Sequence, residues 1–195
     1  MITIEDFQKL DAESRILSQK AEEIFSKIIS PILSRNNIEH HLTGSADYNL
    51  MTWRDIDIHA YVEEKDHGLI KSVATEFMNI PGVWSVWFKD NWKLVDPNVG
   101  KQRIYVGLRY CDTDNIKDTW EIDCSFPTKE DYFDQTKESE GFKNSLTDET
   151  RFVILQSKKL LTNPGGKMPV GMSKKIYDLV ISGINDPEEI ANKLK

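Results

Sequence analysis

The sequence predicts an α+β chain: a mixed sheet of four or five strands, helices on one of its faces, and a short helical tail toward the C-terminal end. Three observations carry this expectation. Apolar residues recur at helical spacing early in the chain, the period switches to two in four segments between residues 55 and 126, and helical spacing returns from about residue 128. Each alternating segment has one apolar and one polar side, so one sheet face is packed and the other lines something wet.

Taken in order, Leu17, Ala21, Ile24, Phe25, Ile28 and Ile32 form a helical stripe over about residues 12–35, which Pro31 kinks or ends. In DIDIHAYV (55–62), Ile56, Ile58, Ala60 and Val62 point one way, and Asp55, Asp57, His59 and Tyr61 the other. A helix through Leu69, Val73, Phe77 and Ile80 is stopped by Pro81-Gly82. Strands are expected at VWSVWFKD (83–90), QRIYVGLRYCD (102–112) and TWEIDCSF (119–126), with DTDN (112–115) turning the chain between the last two. Thr147, with Thr150 three residues on, caps a helix containing Phe152, Leu155 and Lys159. TNPGGKMP (162–169) interrupts, and short helices follow at about 173–184 and 187–194, the second opened by Asp186-Pro187. Two segments result: 1–127, holding the sheet and the N-terminal helix, and 128–195, helical.

The chain has 195 residues, a formal charge of −7 and a pI of about 5.2. That sign disfavours a long nucleic-acid partner, which needs a basic surface, and suits a small, even cationic, acceptor. Cys111 and Cys124 are the two cysteines, without a CxxC pair or clustered histidines, so neither a zinc site nor a disulfide framework is expected. MITIEDFQKLDAESR lacks the basic-then-apolar order of a signal peptide, and no run of 18 apolar residues occurs. A cytoplasmic protein without a membrane partner is the expectation.

Asp55 and Asp57 fall on the polar side of one strand, roughly 7 Å apart at about 3.3 Å per residue. Asp123 lies mid-strand on the polar side of a later segment and can come alongside. Like charges so placed repel; a hard divalent cation such as Mg²⁺ offsets this, taking carboxylates together with substrate phosphates. Gly44-Ser45, before a short helical stretch (ADYNLM), offers backbone N–H groups and a hydroxyl to a triphosphate, glycine allowing close approach. Separately, a DxD or a Gly-Ser is most often a solvated strand face or a turn. In this order, with nine residues between Ser45 and Asp55 and a third acid later, they form one motif.

At Thr43-Gly44-Ser45, Asp55-Ile56-Asp57-Ile58 and Ile122-Asp123-Cys124 the sequence resembles the nucleotidyltransferase superfamily typified by DNA polymerase beta. The likeness covers residues 38–126; Thr43 is more polar than the family's pattern. Asp123 is preferred over Glu121 as the third acid, because Ile122 and Cys124 reproduce the apolar flanks. The resemblance implies a nucleotidyltransferase fold and an enzyme in which Gly44 and Ser45 bind nucleotide, Asp55 and Asp57 hold Mg²⁺ or Mn²⁺, and Asp123 is a metal ligand, a base or both. A nucleoside monophosphate, AMP from ATP by expectation, would pass to a hydroxyl as pyrophosphate leaves. The chain's size resembles the small nucleotidyltransferases that modify aminoglycosides or lincosamides, which implies a small-molecule acceptor. Two alternatives stand beside this: an AMP-transferring antitoxin acting on a protein, and an inactive nucleotide- or metal-binding module.

Further residues are candidates by parity. Trp84, Trp87, Phe88 and Trp92 could wall an organic acceptor, with Trp87 the one expected on the wet face and Trp84 and Phe88 as readily core. Lys89, Arg103, Arg109 and Lys158 or Lys159 could touch phosphates, though each alone is more often a solvated charge. His59 is as readily a site residue as a satisfied polar-face histidine.

Overall fold

The computed structural model describes residues 4–63, 66–92, 103–163, 166–169 and 171–195. Gln102, expected to open a strand, and Pro164-Gly165, within the expected break, lie outside them. Five strands form one sheet: β1 (Glu39–Thr43), β2 (Asp55–Tyr61), β3 (Val83–Asp90), β4 (Arg103–Tyr110) and β5 (Trp120–Pro127), in the order β1-β2-β5-β4-β3. Only the β2–β5 pair is parallel; the other three are antiparallel, so the sheet is mixed as expected.

The expected apolar faces are buried at Ile56, Ile58 and Ala60 on β2, Ile104, Val106, Leu108 and Tyr110 on β4, and Trp120, Ile122, Cys124 and Phe126 on β5, while Val62, just past β2, is half-buried. They pack with Ile70, Val73 and Phe77 of α4 (His67–Met78) and with Ala21 and Ile24 of α1 (Ile4–Ile24). Both cysteines are free, and Cys124 is buried in this core.

The first helix begins eight residues earlier than its stripe predicts, and Pro31 does not end it. A π-helical segment (Phe25–Ile29) leads into α2 (Ser30–Arg35), where Pro31 sits in the first turn. Residues 4–11 are held by tertiary contacts instead: Phe7 meets Phe152 edge to face at 5.4 Å, and Asp11 pairs with Arg151 at 2.5 Å.

A second core joins Tyr48 and Leu50 to α6 (Asp148–Leu161), α7 (Met172–Ile181) and α8 (Pro187–Leu194), with Leu10 of α1 packed against it. The Thr147/Thr150 capping box opens α6, and Asp186 caps α8 before Pro187. Between the cores runs α5 (Lys129–Ser145), capped by Thr128. Its Tyr132 crosses the polar face at the β1–β2 end, stacking on Tyr61 at 5.5 Å and meeting His41 at 3.1 Å. Among the described residues no helix is long and apolar enough to cross a membrane.

Candidate active site

Register brings the acids together. Along the parallel β2–β5 pair, Asp55 stands beside Glu121 and Asp57 beside Asp123. Carboxylate oxygens of Asp55, Asp57 and Asp123 lie within 4.8 Å of one another. Burial disfavours the charged form of all three. Asp57, deepest and repelled by both partners, is held well above the ordinary carboxylate range. Burial, then Asp55 and Glu121, push Asp123 up to about 6. Asp55 is raised by burial, with a hydrogen bond from the Trp53 side chain opposing the shift. Three hard oxygen donors that resist ionising side by side fit a divalent ion such as Mg²⁺ or Mn²⁺.

Gly44 lies directly over this group. Thr43 is extended at φ −142°, and Gly44 then turns to φ 66° to open α3 (Gly44–Asp47). A Cβ on Gly44 would stand 2.7 Å from Asp57 Oδ2. The glycine is therefore required twice, by its left-handed backbone and by the carboxylate beneath it. Gly44→Ala is expected to cost about 1–2 kcal/mol from the backbone alone, more once Asp57 is displaced. Urea denaturation checks the stability loss, and the Mg²⁺-dependent rise in Tm, expected to shrink, checks the displacement.

α6 holds the turn from the other side. The fully buried Lys158 donates from Nζ to Ser45 Oγ (2.8 Å), Leu50 O (2.7 Å) and Tyr177 Oη (2.8 Å), while Ser45 Oγ and Tyr177 Oη lie 2.9 Å apart. Burial lowers the Lys158 ammonium to about 7 against the pull of Asp55 and Asp57. Two turns earlier, Arg151 donates to Tyr48 O and Asn49 O, both at 2.9 Å. Lys159 is exposed, so of the two expected lysines only Lys158 reaches the site.

A cavity of about 910 Å³ spans this region, lined among others by Gly44, Ser45, Asp55, Asp57, Asp123 and Tyr177. His59 lines it too. Burial, then His41 and Arg103, lower its imidazole to about 4, so it is neutral near pH 7, and its Nδ1 has no hydrogen-bond partner among the described residues. Arg109 lines the cavity and pairs with Glu121 at 3.3 Å; Arg103 sits 3.5 Å from Ser125 Oγ. Lys89 is exposed on the edge strand β3.

Trp87 faces the wet side as its parity predicts, its indole laid across Gly107. Phe88 and Trp92 pack against the first core. Trp84 is no core residue: it is 49% exposed, with the Arg109 guanidinium 5.4 Å from its ring centroid. A register shift between Val83 and Ser85 breaks the alternation there and turns Trp84 to the face that carries Trp87. Arg151, Trp53 and Tyr177 were not among the expected site residues. Arg151 and Lys158 had a signal: charges seven apart on the stripe that otherwise carries Ile154 and Leu155.

No protein-family model matches the sequence, and no curated protein does. Solved structures do. The poly(A) polymerase complex GLD-2–GLD-3 superposes with a TM-score of 0.61 at 10% identity over 92% of this chain and 58% of that one. The GLD-2/RNP-8 complex gives 0.57 at 10%, over 91% and 59%. The chain thus spans less than three fifths of the solved chains it matches. These neighbours are polymerases in protein complexes, not the antibiotic-modifying enzymes expected nearest, and they overturn the expectation of a small-molecule acceptor without nucleic acid. The physical reason is that a charge summed over a whole chain does not describe one cavity: Arg54, Arg109, Lys117 and Lys167 gather beside this one. Sheet order, the acid register and the superposition agree that the chain has the nucleotidyltransferase fold of these poly(A) polymerase structures.

Proposed function

We propose that this chain is a nucleotidyltransferase that transfers AMP from ATP to the 3′ hydroxyl of a polynucleotide. The observation that carries the reading is the convergence of Asp55, Asp57 and Asp123 beneath the Gly44-Ser45 turn, with the Lys158 ammonium bonded to Ser45. Gly44 leaves room for phosphate oxygens close to the backbone, while Ser45 binds the β and γ groups and Lys158, buried behind it, holds the Ser45 hydroxyl in place. Asp55 and Asp57, with Asp123, would hold Mg²⁺ or Mn²⁺, which when bound neutralises the triphosphate and favours in-line displacement.

The acceptor oxygen forms a bond to the α-phosphorus as the bond to the bridging oxygen breaks. Pyrophosphate leaves, and the hydroxyl proton passes to Asp123. Most of the acceleration comes from positioning and charge neutralisation, since little covalent work falls to the protein. Poly(A) polymerase structures with the same fold support the choice of acceptor and nucleotide.

The test incubates the full chain with Mg²⁺, each NTP in turn and a single-stranded RNA bearing a free or a blocked 3′ end. Extension of the free end with ATP, and none of the blocked end, is expected. Absence of pyrophosphate release with every NTP and RNA sinks the reading.

A further inference from the structure

The row of residues across the sheet at the acids continues onto β4 and β3. Asp57 pairs with Asp123, Asp123 with Gly107, and Gly107 with Trp87. A Cβ on Gly107 would fall 1.9 Å from Trp87 Cε2, so only glycine lets the indole lie down over the strand next to Asp123. Cα partners on neighbouring strands are about 5 Å apart, which places the ring one strand away from the third acid. Trp87 is 38% exposed in that position. Burying its own area in the core does not account for it.

The β3 bulge adds Trp84 to the same face, under Arg109. Around it lies a second cavity of about 570 Å³, lined by Trp53, Arg54, Lys117 and Lys167 among others. Trp53, Arg109, Glu121 and Lys167 line both cavities, so the two adjoin. Arg54, Arg109, Lys117 and Lys167 face a single lining carboxylate, Glu121, with Asp118 pairing Arg54 from beside it. In a chain of net charge −7 that is a local reversal of sign. Exposed indoles beside clustered cations are what single-stranded nucleic acid needs: flat faces for bases and charge for phosphates.

We infer that the β3–β4 face holds the 3′ segment of a single-stranded polynucleotide acceptor, with bases stacked on Trp87 and Trp84 and phosphates against Arg109, Lys117 and Lys167. The inference rests on the polymerase reading above and adds the path the acceptor takes. Gly107 is then a positioning residue, holding the Trp87 platform flat.

The experiment measures 5′-labelled oligoadenylate binding by fluorescence anisotropy at several salt concentrations, and separate KM values for RNA and ATP. It compares the wild type with Trp87→Leu, Trp84→Leu and the conservative Trp87→Phe. Stacking is worth 1–3 kcal/mol per base, so each Leu variant is expected to weaken binding about tenfold and to raise the RNA KM alike. The ATP KM and the melting temperature stay put, and Trp87→Phe recovers part of the loss. Leu variants that bind and extend RNA like the wild type overturn the inference and leave the proposed reaction standing. A wild type that neither binds nor extends RNA overturns both.

Discussion

Asp57→Asn is expected to abolish nucleotide transfer and, in the same protein, to raise the stability of the metal-free chain. The two effects have one cause. Asp57 is half-buried between Asp55 and Asp123, and its carboxyl is pushed well above the ordinary range by loss of solvent and then by its neighbours' charge. Ionised without a cation, it works against the fold; neutral Asn removes that repulsion while keeping the shape. Without its carboxylate the proposed cation site loses a ligand, and a loss of roughly a thousandfold or more in turnover is expected, as for removal of a principal charge-stabilising group.

The pH dependence follows with a definite sign. A carboxyl whose folded pKa is raised contributes stability below its unfolded value near 3.8 and loses it as pH climbs through the folded value, about 6 for Asp123. In EDTA the wild type should therefore lose stability between about pH 4 and pH 6 and beyond, and Asp57→Asn should lose less. In Mg²⁺ the order reverses: at 100 times its Kd the ion adds about 2.7 kcal/mol to the wild type and little to the variant. Paired melts in EDTA and Mg²⁺, with a pyrophosphate assay, read all three. A variant less stable in EDTA that turned over normally would remove the acids from the centre of this account.

Lys158→Ala carries the largest expected loss of stability. The ammonium is fully buried and holds Ser45 Oγ, Leu50 O and Tyr177 Oη at 2.7–2.8 Å. Removing it leaves a buried carbonyl unpaired, a cavity where the stem packed, and Asp55 and Asp57 without their nearest cation. Breaking a buried charged network of this kind costs about 3–5 kcal/mol. At roughly 2–4 °C per kcal/mol for a chain of this size, Tm should fall by about 6–20 °C. The ATP-dependent rise in Tm should shrink as well, because the Gly44-Ser45 turn loses the ammonium that holds the Ser45 hydroxyl. A fall of only a degree or two, with that rise retained, would mean that the lysine merely fills space.

Legibility in the sequence tracked how local each cause was. The strands β2, β4 and β5 showed their alternation because each has one face in the core and one in water. β1, EHHLT, offered no such pattern: it is a strand because its backbone pairs with β2, with His41 set against His59. The start of α1 was less visible: Ile4, Phe7 and Leu10 keep helical spacing but sit among charged and amide residues, and contacts with α6 hold them. Asp55 and Asp57 stood out through spacing alone, whereas their meeting with Asp123 depends on a parallel register that no single segment encodes. Lys158 was narrowed to one of two neighbours but not chosen, although its place on the stripe of Ile154 and Leu155 sets the rotation of α6 that buries it. Trp84 was obscured by one extra residue in β3, enough to reverse its face.

The first helix belongs to both cores: Ala21 and Ile24 pack beneath the sheet, Leu10 packs with the C-terminal helices, and Ser14 Oγ bonds Asn49 O at 2.7 Å beside the Gly44-Ser45 turn. A rigid strut shared in this way ties the two halves into one cooperative unit, so heat should melt them in a single transition. Strain applied at either end of that helix is then felt at the turn between them, and the geometry of the Gly44-Ser45 loop becomes a property of the whole chain's stability.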